Sequence, residues 1–440
     1  MSETTGYRLL KNHTEEGEEE REGKEHEKKI LIQEEDAAGQ NEESAERSSL
    51  WKAVANLMSS IEGTGLLALP YVIAESGLVA IAALVVVPFI TYYTGAILIE
   101  CLYETNNEGE RIRVRSNYKE LGKACWPRFG GAIVAAVQLI ELFMLASLYL
   151  VLCASLSSSI FPGIPVSDKI WMVIAATIGF PTIFVKNISQ AAWFSLVSVV
   201  ALSVAVIAVL AFGIAHGSKW NLNLILVRNI DEAPVSLALI IFSFICHPIL
   251  PGVEESLQNR SQFRKMLALS YTFVAILKIF VLSCRLAQIF QNPDIPDVIV
   301  NSLPMGFLRV FVNGFLILNV LFSYPFRVIT IIHTIEEIFS VDSLPFRCPE
   351  IVWFIGIRVF TNFLTLLPAI SIPHFALFMS FIGSLTGSCV ALIFPAVFHL
   401  NIQKDNLKLY QITFDILVIF VGVFASFTGL IFTGKKILQL

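Results

Sequence analysis

Charged and titratable side chains stand within long apolar stretches of this 440-residue chain, where a charge is costly and therefore suggests a function. Three of them, Glu62, Glu141 and His247, are candidates for binding or for proton transfer. Glu141, deep in an apolar run, could carry a proton near neutral pH, or could be held permanently by Lys278 or Arg358. His247 could relay a proton, or could be satisfied by free backbone carbonyls. The predicted proton-coupling residues are Glu141 and His247.

Other cations in the apolar stretches have simpler interpretations. Lys278, Arg285 and Arg309 lie toward the ends of their runs, where long side chains reach back to polar surroundings. Arg327 is far from such an end, and the sequence assigns it no role.

Glycine and proline interrupt two of the apolar runs. The first run has Gly63, Gly65 and Pro70 near its middle, and the second contains CHPILPG at residues 246–252. Glycine disfavours helix and proline removes a backbone donor, so each run is predicted to unwind into two half-helices. The alternative is that these residues only kink tightly packed helices.

The unwound segments form a predicted binding site. A half-helix that begins near Leu66 would direct free N–H groups toward a carboxylate, while carbonyls freed at both breaks would accept hydrogen bonds from an ammonium. This pair of ends suits a zwitterion. The predicted substrate-binding residues are Glu62, Gly63, Thr64, Gly65, Leu66, Cys246 and His247.

The composition indicates that a lipid bilayer surrounds these segments. Hydrophobic residues make up 55% of the chain, charged residues only 15%, and the mean hydropathy is +0.69. A spanning helix needs roughly 20 apolar residues, and such runs recur along the chain. About eleven spans are predicted, at residues 53–75, 78–102, 130–158, 169–186, 193–215, 235–258, 265–284, 304–333, 351–371, 373–399 and 411–433.

The predicted fold is an all-α integral membrane protein, because backbone polar groups in lipid must be hydrogen-bonded within the segment. The two interruptions are five spans apart, which is typical of two five-helix inverted repeats with a binding site at the midplane. The eleventh span is an additional helix. Residues 51–440 are therefore predicted to form one transmembrane transporter domain.

The first 50 residues form a different region. They contain 15 acidic and 7 basic residues, although the whole chain has a net charge of −5, and this composition predicts an acidic disordered tail. Lys and Arg are concentrated in one set of alternate loops, which predicts a cytoplasmic N-terminus and a C-terminus on the opposite side. Two short patterns in the tail resemble sorting signals bound by clathrin adaptors; their key residues are Tyr7, Leu10, Glu27, Leu31 and Ile32.

Several classes of function lack support in the sequence. It contains no phosphate-binding loop, dinucleotide fingerprint or catalytic zinc motif, and the scattered cysteines lack metal-ligand spacing. We therefore expect no cofactor, no metal, no nucleic-acid partner and no enzymatic activity. The partners expected are a small amino acid, protons and the lipid bilayer, with transport driven by an ion gradient.

Eight stretches of the chain match the pattern of a known family, at residues 93–104, 112–115, 138–141, 161–167, 250–254, 323–325, 373–377 and 383–387. They resemble the amino acid/auxin permease family, in particular its vesicular members. The resemblance covers nearly everything from about residue 50 onward. It implies the eleven-helix amino acid–polyamine–organocation fold and exchange of cytosolic GABA or glycine for vesicular protons.

The same family implies counterparts of Glu141 and Lys278, but has glutamine where Glu62 and His247 stand and no arginine at the place of Arg327. An added carboxylate at the first break leaves a neutral or a cationic amino acid as substrate. Two other functions also stay open. One is a proton- or sodium-coupled symporter of the plasma membrane or lysosome, and the other is a channel or receptor.

Overall fold

The computed structural model describes residues 48–439 apart from 63, 107, 185–199, 209, 210, 212–214, 216–229, 287–296, 304 and 339–349. This part is dominated by helices, as predicted, and residues 200–208 are also helical. The named helices are α1 (Leu50–Ile61), α2 (Leu69–Ser76), α3 (Leu78–Glu100), α4 (Tyr118–Cys125), α5 (Gly130–Ile160), α6 (Asp168–Gly179), α7 (Ala233–Ser243), α8 (Leu250–Glu255), α9 (Phe263–Leu286), α10 (Phe307–Ile338), α11 (Glu350–Ser371), α12 (Phe375–Ile382), α13 (Phe394–Ile402) and α14 (Leu409–Leu438).

Helices coincide with the predicted spans. Within the described residues, 7 helices are long and apolar enough to cross a membrane, or 8 when the bent pair α1 and α2 is counted as one span. The predicted span at 265–284 lies within α9, and the one at 169–186 begins as α6 and continues as a 3-10 segment, Phe180–Phe184. The predicted span at 193–215 is described mainly at residues 200–208.

The first predicted break is present between α1 and α2. The chain leaves α1 at Glu62, forms a 3-10 segment over Thr64–Ala68 and continues as α2, with a bend of 50° between the two halves. Pro70 lies in the first turn of α2, where its missing N–H group costs no helical hydrogen bond. Gly77, with φ 56°, then reverses the chain into α3, a backbone conformation that favours glycine.

The second predicted break is present between α7 and α8. Helix α7 ends at Ser243, and a short 3-10 segment, His247–Ile249, precedes α8. Pro248 and Pro251 each lie at the first or second position of the segment that they begin. The sequence predicts this interruption at residues 246–252, whereas the helix already ends at Ser243, so the unwound stretch begins at Phe244, two residues earlier.

Helices α5 and α10 lie beside the two breaks. The long helix α5 packs along α10 and also contacts the short amphipathic helix α4. Asn117 caps α4 by accepting a hydrogen bond from the Glu120 backbone N–H at 3.0 Å.

Near α7, the chain between α12 and α13 forms two π-helical segments, a feature that is frequent at functional sites.

The two ends of the bundle collect different loops. At one end lie a two-stranded hairpin, β1 (Tyr103–Thr105) and β2 (Arg111–Arg113), together with α4 and the chain at Ser48. The Ser48 backbone N–H donates to the Ser256 carbonyl at 2.7 Å, which ties the start of α1 to the end of α8. At the other end, Lys436 pairs with Glu232. The predicted tail and its sorting residues, 1–47, lie outside the described residues.

A buried polar cluster attaches the last helix to the bundle. Asp415 of α14 accepts one hydrogen bond from the Tyr93 hydroxyl at 2.7 Å. Its other carboxylate oxygen lies 2.7 Å from His399 Nδ1. His399 Nε2 lies 3.8 Å from Glu100, which in turn pairs with Arg264. Since Asp415 and His399 are buried, these partners remove the cost of placing them in an apolar interior.

Candidate functional site

A cavity of about 600 Å³ lies between the two broken helices, α4, α5 and α10. It reaches the backbone of both breaks at Gly65, Ser243 and Cys246, and it extends to α4 at one end of the bundle. Its wall combines apolar and polar side chains, and a concave site between helices is typical of small-molecule binding. The polar side chains on its wall are Ser60, Asn117, Tyr118, Lys119, Gln138, Glu141, Tyr149, Ser243, Cys246, Arg327, Thr330 and Thr334.

Glu141 and Arg327 bring opposite charges to this cavity. Glu141 belongs to α5 and is 5% exposed, and Arg327 belongs to α10. Arg327 is the cation whose charge acts on the Glu141 carboxylate, yet their charged atoms are more than 4.0 Å apart and form no direct ion pair. Within the described residues, neither side chain has a hydrogen-bond partner. Both groups are therefore available to a ligand.

The cations considered as fixed partners of Glu141 lie elsewhere. Lys278 is fully buried, its Nζ donates to the Ser243 carbonyl, and it lies 4.0 Å from the centre of the Phe244 ring. The prediction that Lys278 reaches toward a membrane surface is wrong, because α9 turns this side chain inward onto the second break. Arg358 donates to the Phe354 carbonyl at 3.0 Å.

Lys278 also connects the second break to the first. Its ammonium interacts electrostatically with Glu62, at the end of α1. Glu62 is 8% exposed, and neither of its carboxylate oxygens has a hydrogen-bond partner in the described part of the chain. A buried carboxylate without hydrogen bonds depends on a nearby cation, so Lys278 is the group that compensates Glu62.

Two carbonyls freed at the second break already have donors. The Ser243 carbonyl accepts from Lys278, and the Phe244 carbonyl accepts from the Tyr271 hydroxyl at 3.2 Å. A substrate ammonium at Ser243 would have to compete with the protein's own ammonium. At Ser243, the ammonium of Lys278 therefore occupies the place that the sequence predicts for the ammonium of a substrate.

The predicted substrate-binding residues divide into two groups. Gly65 and Cys246 lie on the cavity wall, whereas Glu62, Leu66 and His247 are buried next to it. The structure describes only the backbone of Thr64, and Gly63 lies outside the described residues.

His247 is separated from the cavity. It is fully buried, and its Nε2 lies 2.9 Å from the Thr94 hydroxyl of α3. This contact joins the second break to α3, whereas Nδ1 has no hydrogen-bond partner in the described part of the chain. His247 thus contacts α3 from the 3-10 segment that precedes α8, and its role in proton coupling stays a prediction.

Solved transporters have a similar fold. The nucleobase-cation-symport-1 family transporter Mhp1, in a closed conformation with bromovinylhydantoin bound, is similar with a TM-score of 0.51 and 12% identity, over 89% of this chain and 92% of that one. The inward-facing conformation of Mhp1 also gives a TM-score of 0.51, with 13% identity over 89% of this chain and 90% of that one. At this identity the similarity concerns the fold, and it confirms the predicted transporter fold class.

Sequence comparisons determine the family. A profile of the transmembrane amino acid transporter protein family matches residues 46–434. The chain belongs to this family. The vesicular inhibitory amino acid transporter of Homo sapiens is 32% identical over 404 residues, which cover 88% of this chain and 76% of the relative. The vesicular GABA transporter of Caenorhabditis elegans is 28% identical over 407 residues, covering 90% and 82%. This protein is therefore a multi-pass membrane transporter of amino acids.

Close packing of the two breaks in this amino acid transporter requires glycine at position 65. A Cβ atom on Gly65 would lie 2.9 Å from Ser243 Cβ, which is closer than side chains approach. Gly65→Val is expected to push the 3-10 segment Thr64–Ala68 away from the end of α7 and to cost about 1–3 kcal/mol of stability. Thermal unfolding of the detergent-purified protein measures this loss.

A matched glycine is available as a control. Gly252, in α8 of the second broken helix, has no heavy atom within 4 Å of the position that its Cβ would occupy. Gly252→Val should leave the unfolding temperature near that of the wild type. Equal effects of the two substitutions would contradict direct packing between the breaks at Gly65.

The sequence does not predict the positions of two cations at this amino acid transporter's candidate site. Arg327 lies on the cavity wall, and the one signal for this in the sequence is a charge within an apolar run that has no other explanation. Lys278 lies beside the wall, although its place near the end of an apolar run predicts that it reaches toward a membrane surface. Its direction depends on how α9 faces the second break, which a single sequence does not contain.

Proposed function

We propose that this transporter carries small zwitterionic amino acids, glycine or GABA, into vesicles in exchange for protons, without chemical conversion of the substrate. The human and nematode relatives, by name a vesicular inhibitory amino acid transporter and a vesicular GABA transporter, support the substrate and the vesicle. The observation that carries the proposal is the Glu141 carboxylate, which faces a cavity at the two breaks and has no direct partner among the described residues.

Competition at one carboxylate explains exchange. Ionised Glu141 attracts the ammonium of an amino acid, and a proton bound to Glu141 removes that attraction. If the carboxylate holds either the substrate or a proton when the cavity changes sides, movement of one drives the other in the opposite direction. Glu141 then has the role of shared binding group, and His247 lies outside this route.

The gradient of an acidic vesicle supplies sufficient free energy. One pH unit is equivalent to about 1.36 kcal/mol per proton, which corresponds to about a tenfold concentration of substrate for one exchanged proton. A potential of 100 mV contributes about 2.3 kcal/mol per charge in addition. One proton per amino acid is therefore adequate.

The distribution of basic residues supports an orientation. Arg113, Lys119 and Arg260 lie at the end of the bundle that carries the hairpin and α4, and we assign this end to the cytosol because basic loops are retained there. The N-terminus is then cytosolic and the C-terminus luminal. In this orientation the tail patterns at Tyr7 and at Glu27 would be accessible to clathrin adaptors, consistent with a vesicular protein.

Transport into proteoliposomes tests the proposal. The purified full-length chain is reconstituted with an acidic interior, and uptake of labelled glycine and GABA is followed with and without a protonophore that removes the gradient. Exchange predicts accumulation that disappears with the protonophore. A symporter would export substrate from the acidic side and show no accumulation, and a channel would show flux that does not saturate.

A further inference from the structure

We infer that Arg327 binds the carboxylate of the substrate and, together with Glu141, limits this transporter to amino acids with one free carboxylate and one ammonium. The inference rests on the proposed function, since it assumes that the cavity between the breaks receives an amino acid. It assigns a specificity-determining role to a residue for which the sequence offered no explanation.

Arg327 differs from the other arginines within the bundle. Arg309 of the same helix donates from Nε to the Ser159 hydroxyl at 2.8 Å, and Arg358 of α11 donates to the Phe354 carbonyl at 3.0 Å. Arg327 has no such acceptor among the described residues, and it lies on the wall of the cavity. A guanidinium in a membrane protein interior is costly without an anion, so an anionic ligand is the partner that this site lacks.

The position of Glu141 indicates what kind of anion fits. The two charges face the same cavity and interact electrostatically, but more than 4.0 Å separates their charged atoms. A zwitterion between them would present its ammonium to Glu141 and its carboxylate to Arg327. The planar guanidinium matches a carboxylate with two parallel hydrogen bonds, which makes Arg327 a specific receptor for this group.

The remaining charges near the cavity exclude cationic amino acids. Glu62 is compensated by Lys278, and neither residue lies on the wall. The wall itself carries Glu141, Arg327 and, from α4, Lys119. A substrate with a second positive charge would meet Arg327 and Lys119 without a second carboxylate. The added Glu62 thus does not turn the site toward lysine or ornithine.

A binding assay on matched ligands tests this role. The full-length protein in detergent is titrated with glycine and with glycinamide, which keeps the ammonium and lacks the carboxylate, and binding is followed by the shift of the unfolding temperature. The wild type should prefer glycine by about 10- to 100-fold, the range expected for charge-assisted hydrogen bonds. Arg327→Gln should lose most of this preference, because its affinity for glycine falls toward that for glycinamide.

Two further variants separate specificity from folding. Arg327→Lys keeps the charge but not the paired hydrogen bonds, so its preference for glycine should fall by about tenfold even if Arg327→Gln does not fold. Lys404→Gln removes an exposed cation at the end of the bundle that carries the hairpin. This variant should keep the wild-type preference for glycine over glycinamide. An unchanged ratio of glycine to glycinamide affinity in both Arg327 variants would overturn the inference.

The wild type distinguishes the two levels of failure. If it accumulates glycine in acidic proteoliposomes while the Arg327 variants keep its ligand preference, only the role of Arg327 is wrong. If the wild type neither binds nor accumulates any of glycine, GABA or lysine, the proposed function fails and this inference with it. Binding of lysine as strongly as glycine would overturn the charge argument alone.

Discussion

Glu141→Gln is expected to abolish acid-driven accumulation of glycine or GABA in proteoliposomes. Glutamine has nearly the same shape as glutamate but binds no proton, so nothing can be exchanged for the amino acid. With a gradient of about one pH unit and no potential, the wild type should concentrate the substrate about tenfold. The variant should reach only the external concentration. Uptake of labelled substrate, with and without the gradient, measures the difference.

Two variants control for general damage in that experiment. Glu141→Asp keeps a titratable carboxylate and should retain gradient-dependent accumulation, although at a lower rate because the group is shorter. Glu110→Gln removes an exposed carboxylate in the hairpin turn and should behave as the wild type. Wild-type accumulation by Glu141→Gln would show that another group carries the proton.

Both interruptions could be predicted from the sequence because their causes are local. Gly65 and Pro70, and later Pro248 and Pro251, disturb helical hydrogen bonding wherever the surrounding chain is placed. The apolar runs likewise identify spans without any tertiary information. The structure changes only details, such as the end of α7 at Ser243 rather than near Cys246.

The partners of the buried charges could not be predicted. Lys278 lies next to Ser243 and Glu62, and Arg327 lies near Glu141, through contacts between helices that are distant in the sequence. Which side of a helix faces a partner depends on packing and on rotation of the helix about its axis. His247 shows the same limit, because its contact with Thr94 of α3 joins residues that are 153 positions apart in the sequence.

The connection between the two breaks predicts a large loss of stability in Lys278→Met. Methionine fills a similar volume but leaves the buried Glu62 carboxylate without a cation and the Ser243 carbonyl without its donor. Removal of one partner from a buried charge pair costs about 3–5 kcal/mol. Thermal unfolding in detergent should therefore show a strongly lowered transition. Lys265→Met, an exposed position in the same helix, should change it little.

The double variant decides whether Glu62 is the cause of that loss. Glu62→Gln in the Lys278→Met background removes the uncompensated charge, so the unfolding temperature should recover toward the wild-type value. Glu62→Gln alone should cost less than Lys278→Met, because Lys278 keeps the Ser243 carbonyl and the face of Phe244. The four proteins form a double-mutant cycle with an expected interaction energy of about 1–3 kcal/mol. Strictly additive effects would mean that Lys278 stabilises the second break alone, and that the two broken helices are joined only by contacts such as that of Gly65 with Ser243.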